Sequence, residues 1–180
     1  MKKITTALLA ATALFASSGA MAQAYVGGSL GWSDIDVDCG GFASCDTSDV
    51  GFKLFGGYKF TPYVAVEASY VDYGKATASA GPVSVDLTGT SFGVGVAGFL
   101  PFNNVLTGVG RLGLASNKAK LSGPGFSSSD TNTKPYFGIA LDFRVMPQLH
   151  IEGGLDFTTF EEDGDEADVR LLSVGVRYEF

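Results

Sequence analysis

The chain has 180 residues, with 12 Lys+Arg against 19 Asp+Glu and a formal net charge of −7. That balance disfavours a nucleic-acid partner, which calls for a basic surface. Its 25 Gly, 14 Phe and 7 Tyr, without leucine-rich helical periodicity, argue for a protein built of strands.

The first element is a leader. Lys2 and Lys3 precede an apolar run from about Ala7 to Phe15, followed by Ser17, Ser18 and Gly19. Ala20-Met21-Ala22 and Ala22-Gln23-Ala24 both fit the small-x-small cleavage rule. The run is too short to span a bilayer as a helix, so residues 1–22 read as a secretory signal peptide cleaved after Ala22, with Ala24 as the second choice. Losing Lys2 and Lys3 takes the charge from −7 to −9 and leaves residues 23–180, enough for one domain. No later run of about eighteen apolar residues exists, so any membrane span must be made of strands. Export also places Cys39 and Cys45 in an oxidising compartment. They are expected to close a small ring; two free thiols, or pairing to another protein, are the alternatives.

Eight segments then alternate apolar and polar residues with the period of a strand. Tyr25–Ser33 carries Val26, Gly28, Leu30 and Trp32 on one face. Val50–Phe60 sets Phe52, Leu54, Gly56, Tyr58 and Phe60 against Lys53, Phe55 and Lys59. Tyr63–Tyr73 sets Val64, Val66, Ala68 and Tyr70 against Glu67 and Ser69. Val85–Leu100 keeps Phe92, Val94, Val96, Gly98 and Leu100 in phase. Val105–Ser116 sets Leu106, Leu112 and Leu114 against Thr107, Arg111 and Ala115. Lys134–Arg144 sets Phe137, Ile139, Leu141 and Phe143 against Gly138, Asp142 and Arg144. Leu149–Phe160 sets Leu149, Ile151, Leu155 and Phe157 against His150, Glu152 and Asp156. Val169–Phe180 ends the chain, with Leu172, Val174, Val176, Tyr178 and Phe180 on one face and Ser173, Gly175, Arg177 and Glu179 on the other.

The connections alternate in length. Thr61-Pro62, Pro101–Asn104 and Val145–Gln148 are short, whereas Asp34–Asp49, Gly74–Ser84, Asn117–Asn132 and Glu161–Asp168 are long. The expected fold is therefore all-β, an eight-stranded antiparallel up-and-down transmembrane barrel with apolar phases toward lipid. Both termini and the short turns are expected on the periplasmic side. Closure would remove every sheet edge, including that of the apolar last strand.

The last strand resembles the terminal strand of bacterial outer-membrane barrels. That resemblance implies that Tyr178 and Phe180 are read as a signal by the barrel-assembly machinery. Gly51–Tyr58 and Val66–Tyr70 look like the second and third strands of the small OmpA-like outer-membrane β-barrel family. The resemblance covers residues 23–180 and implies a Gram-negative outer-membrane location, among lipid and lipopolysaccharide. The chain ends at the barrel, so the peptidoglycan anchoring of longer family members is not carried over.

With apolar phases facing lipid, the lumen receives Lys53, Lys59, Glu67, Arg111, Asp142, Arg144, Glu152, Asp156, Arg177 and Glu179. An eight-stranded barrel has little more room than its own side chains fill, so these charges must pair. Glu67, Arg111, Glu152 and Arg177 are expected to form one central network, with Lys53 within reach. The family's small barrels are similar, with interior ion pairs interrupting the lumen.

Candidate chemistry is thin. Gly108–Gly113 spells a dinucleotide fingerprint but lies inside a strand, with no helix after it. His150 is the one histidine, beside a short turn, and no feature supplies it with a nucleophile. Asp34, Asp36 and Asp38 lack the glycine that a calcium loop needs at its turn. Neither an enzyme, a cofactor nor a dedicated metal site is expected. The first and last long loops carry eleven acids, a solvated rim or a loose divalent-cation site. The expected protein is a monomeric, non-enzymatic outer-membrane barrel with a charge-plugged lumen and a structural or adhesion-type role; its surface ligand is not specified by the sequence. A low-conductance pore for ions or small solutes is the alternative. A soluble lipocalin-like barrel is a weaker one, since its closing strand would not need the terminal aromatic signature.

Overall fold

The computed structural model describes residues 23–35, 44–46, 48–80, 83–123, 126–162 and 165–180. They form β1 (Ala24–Ile35), β2 (Ser44–Asp46), β3 (Ser48–Thr61), β4 (Val64–Ala80), β5 (Val83–Pro101), β6 (Leu106–Gly123), β7 (Phe126–Arg144), β8 (Leu149–Glu162) and β9 (Asp165–Glu179). All but β2 run around one closed wall in the order β4-β3-β1-β9-β8-β7-β6-β5, and β5 pairs back onto β4. Every ladder is antiparallel. The short β2 pairs with the far end of β4, Ser44–Asp46 lying against Thr77–Ser79. The closing ladder sets Tyr25–Ile35 against Val169–Glu179.

The strand period decides which side chains go where. Leu30, Trp32, Leu54, Val94, Val96, Leu112, Leu114, Leu141 and Val174 are all exposed on the outer wall. Lys53, Glu67, Arg111, Asp142, Glu152 and Arg177 are buried inside it. This distribution is inverted relative to a protein folded in water, and it suits a wall immersed in lipid. Two apolar clusters also fill the interior. Tyr25, Phe55, Ala65, Ala97, Phe99, Val109 and Ala140 form one, and Val71, Tyr73, Ala119, Val169 and Leu171 the other.

The turns at one end are tight and held by side chains. Thr61 Oγ1 accepts from the Tyr63 and Val64 amides at 3.2 and 3.0 Å. Asn103 Oδ1 accepts from the Val105 and Leu106 amides, each at 2.8 Å. The other end departs from the expected long loops. β4 runs to Ala80 and β5 starts at Val83; β6 runs to Gly123 and β7 starts at Phe126. Residues 74–84 and 117–132 are thus mostly paired strand. Backbone pairing continues past the height where outward side chains stop being apolar, so the hydrophobic alternation ends before the ladder does. A register shift between Asp72 and Lys75 marks that height on β4. Gly74 takes φ +75 there, a conformation that favours glycine, and its amide donates to Asp72 Oδ1 at 2.9 Å. Asp49 holds the shift from β3, accepting from the Val50 and Lys75 amides, each at 2.7 Å.

Of the inward-phase side chains, Arg144, expected in the lumen, and Tyr63 lie outside it, while Tyr73 and Phe99 lie within. Tyr73 and Phe99 are buried in the interior clusters. Arg144 is exposed, because it ends β7 where the wall stops. Tyr63, in the inward phase by count, is exposed because it sits in the turn between β3 and β4.

Candidate functional site in the barrel interior

The inward phase of the wall delivers charges from strands that are not neighbours. Arg111 enters from β6, Glu67 from β4 and Glu152 from β8. Arg111 Nε donates to Glu67 Oε1 at 2.8 Å, and its Nη2 donates to Glu152 Oε2 at 2.9 Å. The second Glu67 oxygen accepts from the Tyr25 hydroxyl at 2.8 Å. Phe55 lies beneath the guanidinium, its ring centroid 4.9 Å away. The side chains of Arg111 and Glu67 are 2% and 0% exposed, so both charges depend on one another for solvation.

Arg177 sits in a second cluster nearer the tight turns. Its Nε and Nη2 donate to Asp142 Oδ2 at 2.9 and 2.6 Å, and its Nη1 donates to Glu179. Lys59 Nζ donates to the same Glu179 oxygen at 2.5 Å. His150 Nδ1 lies 2.6 Å from Asp142 Oδ1. Lys53 and Asp156 form a third group, Nζ to Oδ1 at 2.6 Å. The single network expected from the sequence is therefore divided. Glu67, Arg111 and Glu152 meet, Lys53 goes to Asp156, and Arg177 goes to Asp142 and Glu179. Register accounts for the division: Arg177 pairs with His150 at the start of β8, whereas Arg111 pairs with Gly138, midway along the lipid-facing stretch of β7.

Tyr25 joins the first two clusters. Its hydroxyl reaches Glu67 while the Arg177 guanidinium lies 5.3 Å from its ring centroid. Phe99 meets the Tyr25 ring edge-on at 5.8 Å and also carries Arg177 at 5.2 Å and Lys59 at 4.6 Å. Cation–ring contacts of this kind stabilise a desolvated cation. The only sequence signal for Tyr25, Phe55 and Phe99 is their inward phase. Glycines opposite make room for the large groups. Phe55 pairs with Gly27, Tyr25 with Gly57 and Asp156 with Gly138, and a Cβ at any of the three glycines would collide with that partner's side chain.

Toward the other end neutral side chains bridge the interior. Ser91 Oγ donates to Asn117 Oδ1 at 2.7 Å, and Asn117 Nδ2 donates to Thr158 Oγ1 at 2.9 Å. The Val71–Leu171 apolar cluster also lies in this part of the barrel. At the tight-turn end a cavity of about 430 Å³ opens among Lys59, Arg144, His150, Arg177 and Glu179.

The remaining candidates are placed as follows. His150 Nε2 has no hydrogen-bond partner among the described residues, and Glu179 Oε1 is 4.0 Å away. No hydroxyl or thiol is hydrogen-bonded to His150 among the described residues. Gly108–Gly113 lies within β6. Cys39 falls outside the described residues, and Cys45 pairs with Ala78 in the β2–β4 ladder. No group of three or more metal-ligating side chains occurs among the described residues. Most acids of the two acidic loops have side chains outside those described. Tyr178 and Phe180 lie together on the outer wall, ring centroids 5.2 Å apart, and the Phe180 amide donates to Ala24 O at 3.0 Å.

A closed wall, apolar outside and ion-paired inside, is matched over residues 4–180 by the family model described as outer membrane protein beta-barrel domain. This chain belongs to that family. Outer membrane protein A of Salmonella typhi is 31% identical over 202 residues, an overlap with 100% of this chain and 56% of that protein. The chain thus spans about half the length of the curated relatives it matches. Among solved structures, the attachment invasion locus protein Ail of Yersinia pestis is similar at TM-score 0.55 and 23% identity, over 87% of this chain and 99% of that one. Neisserial surface protein A is similar at TM-score 0.66 and 16% identity, over 87% and 97%. At these identities the structural likeness concerns the fold. Family membership and barrel architecture place this protein in the outer membrane of a Gram-negative bacterium, among lipid and lipopolysaccharide.

Proposed function

We propose that this protein is a non-enzymatic, monomeric outer-membrane barrel whose lumen is closed by its own ion pairs and whose long hairpins serve structural or surface-interaction roles. The observation that carries the reading is the Arg111 guanidinium, which spans the lumen between Glu67 and Glu152 with Tyr25 and Phe55 packed beside it. An eight-stranded wall leaves little cross-section beyond its side chains, and these groups occupy its middle. Neither His150 nor any other described group has the nucleophile–base geometry of a hydrolase. Ail has also been solved with the heparin analogue sucrose octasulfate, a precedent on this fold for binding such a molecule.

Residues 1–22 act as the cleaved signal peptide in this reading, and residues 23–180 form the barrel. Tyr178 and Phe180 address the chain to the barrel-assembly machinery, and Cys39 and Cys45 close a ring in the first loop. The unreduced protein is then expected to show no mass shift after thiol alkylation.

Conductance of the purified protein in planar bilayers tests the closed lumen. The expected result is no steady current. Large, sustained openings in wild type would overturn it and establish the pore reading, which the cavity at the tight-turn end favours by leaving part of the lumen open.

A further inference from the structure

Three basic side chains stand in one row at the tight-turn end of the barrel. The β7–β8 ladder sets Arg144 opposite His150, and the β8–β9 ladder sets His150 opposite Arg177. Neighbouring strands lie about 5 Å apart, and like charges directly opposite one another repel. Two carboxylates offset part of the row. Asp142 accepts from Nε and Nη2 of Arg177 and faces His150 Nδ1, while Glu179 accepts from Nη1 of Arg177 and from the Lys59 ammonium. Asp142 is fully buried, whereas Lys59, Arg144, His150, Arg177 and Glu179 line the cavity of about 430 Å³. Among the described residues its charged lining is thus three cations against one carboxylate.

His150 adds an independent observation. The residue is 3% exposed, and its Nε2 has no hydrogen-bond partner among the described residues. That nitrogen lies on the Glu179 side of the ring, toward the cavity that both residues line. The other ring nitrogen fixes the tautomer. Asp142 Oδ1, 2.6 Å from Nδ1, can only accept, so Nδ1 carries the ring proton. Arg177 Nη2, 3.4 Å from the same nitrogen, is beyond good hydrogen-bond distance. A neutral imidazole then leaves Nε2 as a bare lone pair that needs a donor. Glu179 Oε1, 4.0 Å away, is too far and, as a carboxylate, can only accept. A buried acceptor without a donor costs free energy. A ligand that satisfies this cavity must therefore donate to Nε2 and also bring negative charge to the cations beside it.

We propose that this cavity binds a small oxyanion that still carries a proton, with hydrogen phosphate the best fit. The P–O–H group donates to His150 Nε2, and the remaining oxygens accept from Arg144 and Lys59. An ammonium has three donors, of which Glu179 takes one. Sulfate resembles phosphate in size and shape but has no proton at neutral pH, so it would set an oxygen lone pair against the bare Nε2. The site thus selects its ligand on one proton rather than on charge. The inference goes beyond the closed-lumen reading and holds whether or not the lumen conducts, because the cavity lies on the tight-turn side of the Arg111 guanidinium.

The test titrates the purified, untagged protein with inorganic phosphate and with sulfate at neutral pH, in a maltoside detergent that has no phosphate headgroup. Calorimetry reads affinity. Nitrogen NMR reads the imidazole, whose ring signals are unambiguous because His150 is the one histidine of the chain. Wild type is expected to bind phosphate at least about tenfold more tightly than sulfate, and phosphate is expected to shift the Nε2 signal. His150→Asn keeps a donor toward Asp142 and removes Nε2, so it is expected to bind the two anions alike. Arg144→Gln is expected to weaken both anions and to keep their ratio. Heat-modifiable gel mobility checks that each variant is folded; if His150→Asn does not fold, the wild-type comparison of the anions and the Nε2 signal decide. No binding of phosphate, or sulfate bound as tightly by wild type, would overturn the site. So would a preference for phosphate that survives in folded His150→Asn, or an Arg144→Gln variant that binds both anions as wild type does.

Discussion

Arg111 and Glu67 meet at 2.8 Å across the lumen although β5 lies between their strands in the wall. The pair is 44 residues apart in sequence and links the wall through its interior, where the hydrogen-bonded ladders do not reach. Glu152 binds the same guanidinium from β8, so one cation ties three strands.

Removing that cation leaves two buried carboxylates without a counter-ion. Arg111→Met is therefore expected to destabilise the folded barrel by about 3–5 kcal/mol. Replacing all three groups, as Glu67→Met/Arg111→Met/Glu152→Met, is expected to cost much less, because no uncompensated charge remains. Urea titration of the barrel in lipid vesicles, followed by heat-modifiable mobility, measures both. A triple variant as unstable as the single one would show that shape, not charge, makes the site.

The inward glycines make a separate claim. Phe55 lies on Gly27 across the β1–β3 ladder, and a Cβ at Gly27 would overlap the ring. Gly27→Ala is expected to cost about 1–3 kcal/mol through overpacking. Combining it with Phe55→Leu should recover part of that loss, since the smaller side chain vacates the space. Strictly additive losses in the same titration would mean that the ring does not rest on the glycine.

Much of this architecture is legible in the sequence because lipid imposes a simple rule. Leu172, Val174, Val176 and Tyr178 repeat every second residue, and the same phase recurs in seven other segments. Phase alone tells which residues enter the lumen and leaves open which of them meet. That depends on how far each strand is staggered around the wall, a quantity spread over all the ladders at once. Arg177 illustrates this: its inward direction follows from phase, its partnership with Asp142 from stagger. The hairpin extensions are hidden for a different reason. Asn117–Asn132 is rich in Ser, Gly and Pro and has no apolar alternation. Water tolerates any residue on both faces of a hairpin above the membrane, so only backbone pairing marks it as strand.

End asymmetry predicts the orientation. The paired hairpins at one end are long and the turns at the other short, the arrangement of barrels whose loops face outward. Thr131→Cys, in a chain also carrying Cys39→Ser and Cys45→Ser, is expected to react with a membrane-impermeant maleimide on intact cells. Asn104→Cys, in a tight turn, is expected to react only after the outer membrane is opened. The reverse pattern would invert the barrel.

The last residue separates assembly from stability. Phe180 is exposed on the outer wall; its amide donates to Ala24 O at 3.0 Å, and its ring packs edge-on against Tyr178. That hydrogen bond and that peripheral ring contact are together worth about 1–2 kcal/mol. The ladder from Tyr25–Glu179 to Ile35–Val169 survives. Barrel refolded in vitro without Phe180 is therefore expected to unfold at nearly the wild-type urea concentration. Under the proposed role of Tyr178 and Phe180 as an assembly signal, recognition would have no such redundancy, because a C-terminal signal loses its register when the last residue is lost. In cells the deletion is expected to lower the folded, heat-modifiable fraction in the outer membrane several-fold. A defect of the same size in both experiments would reduce the terminal aromatic to an ordinary lipid contact.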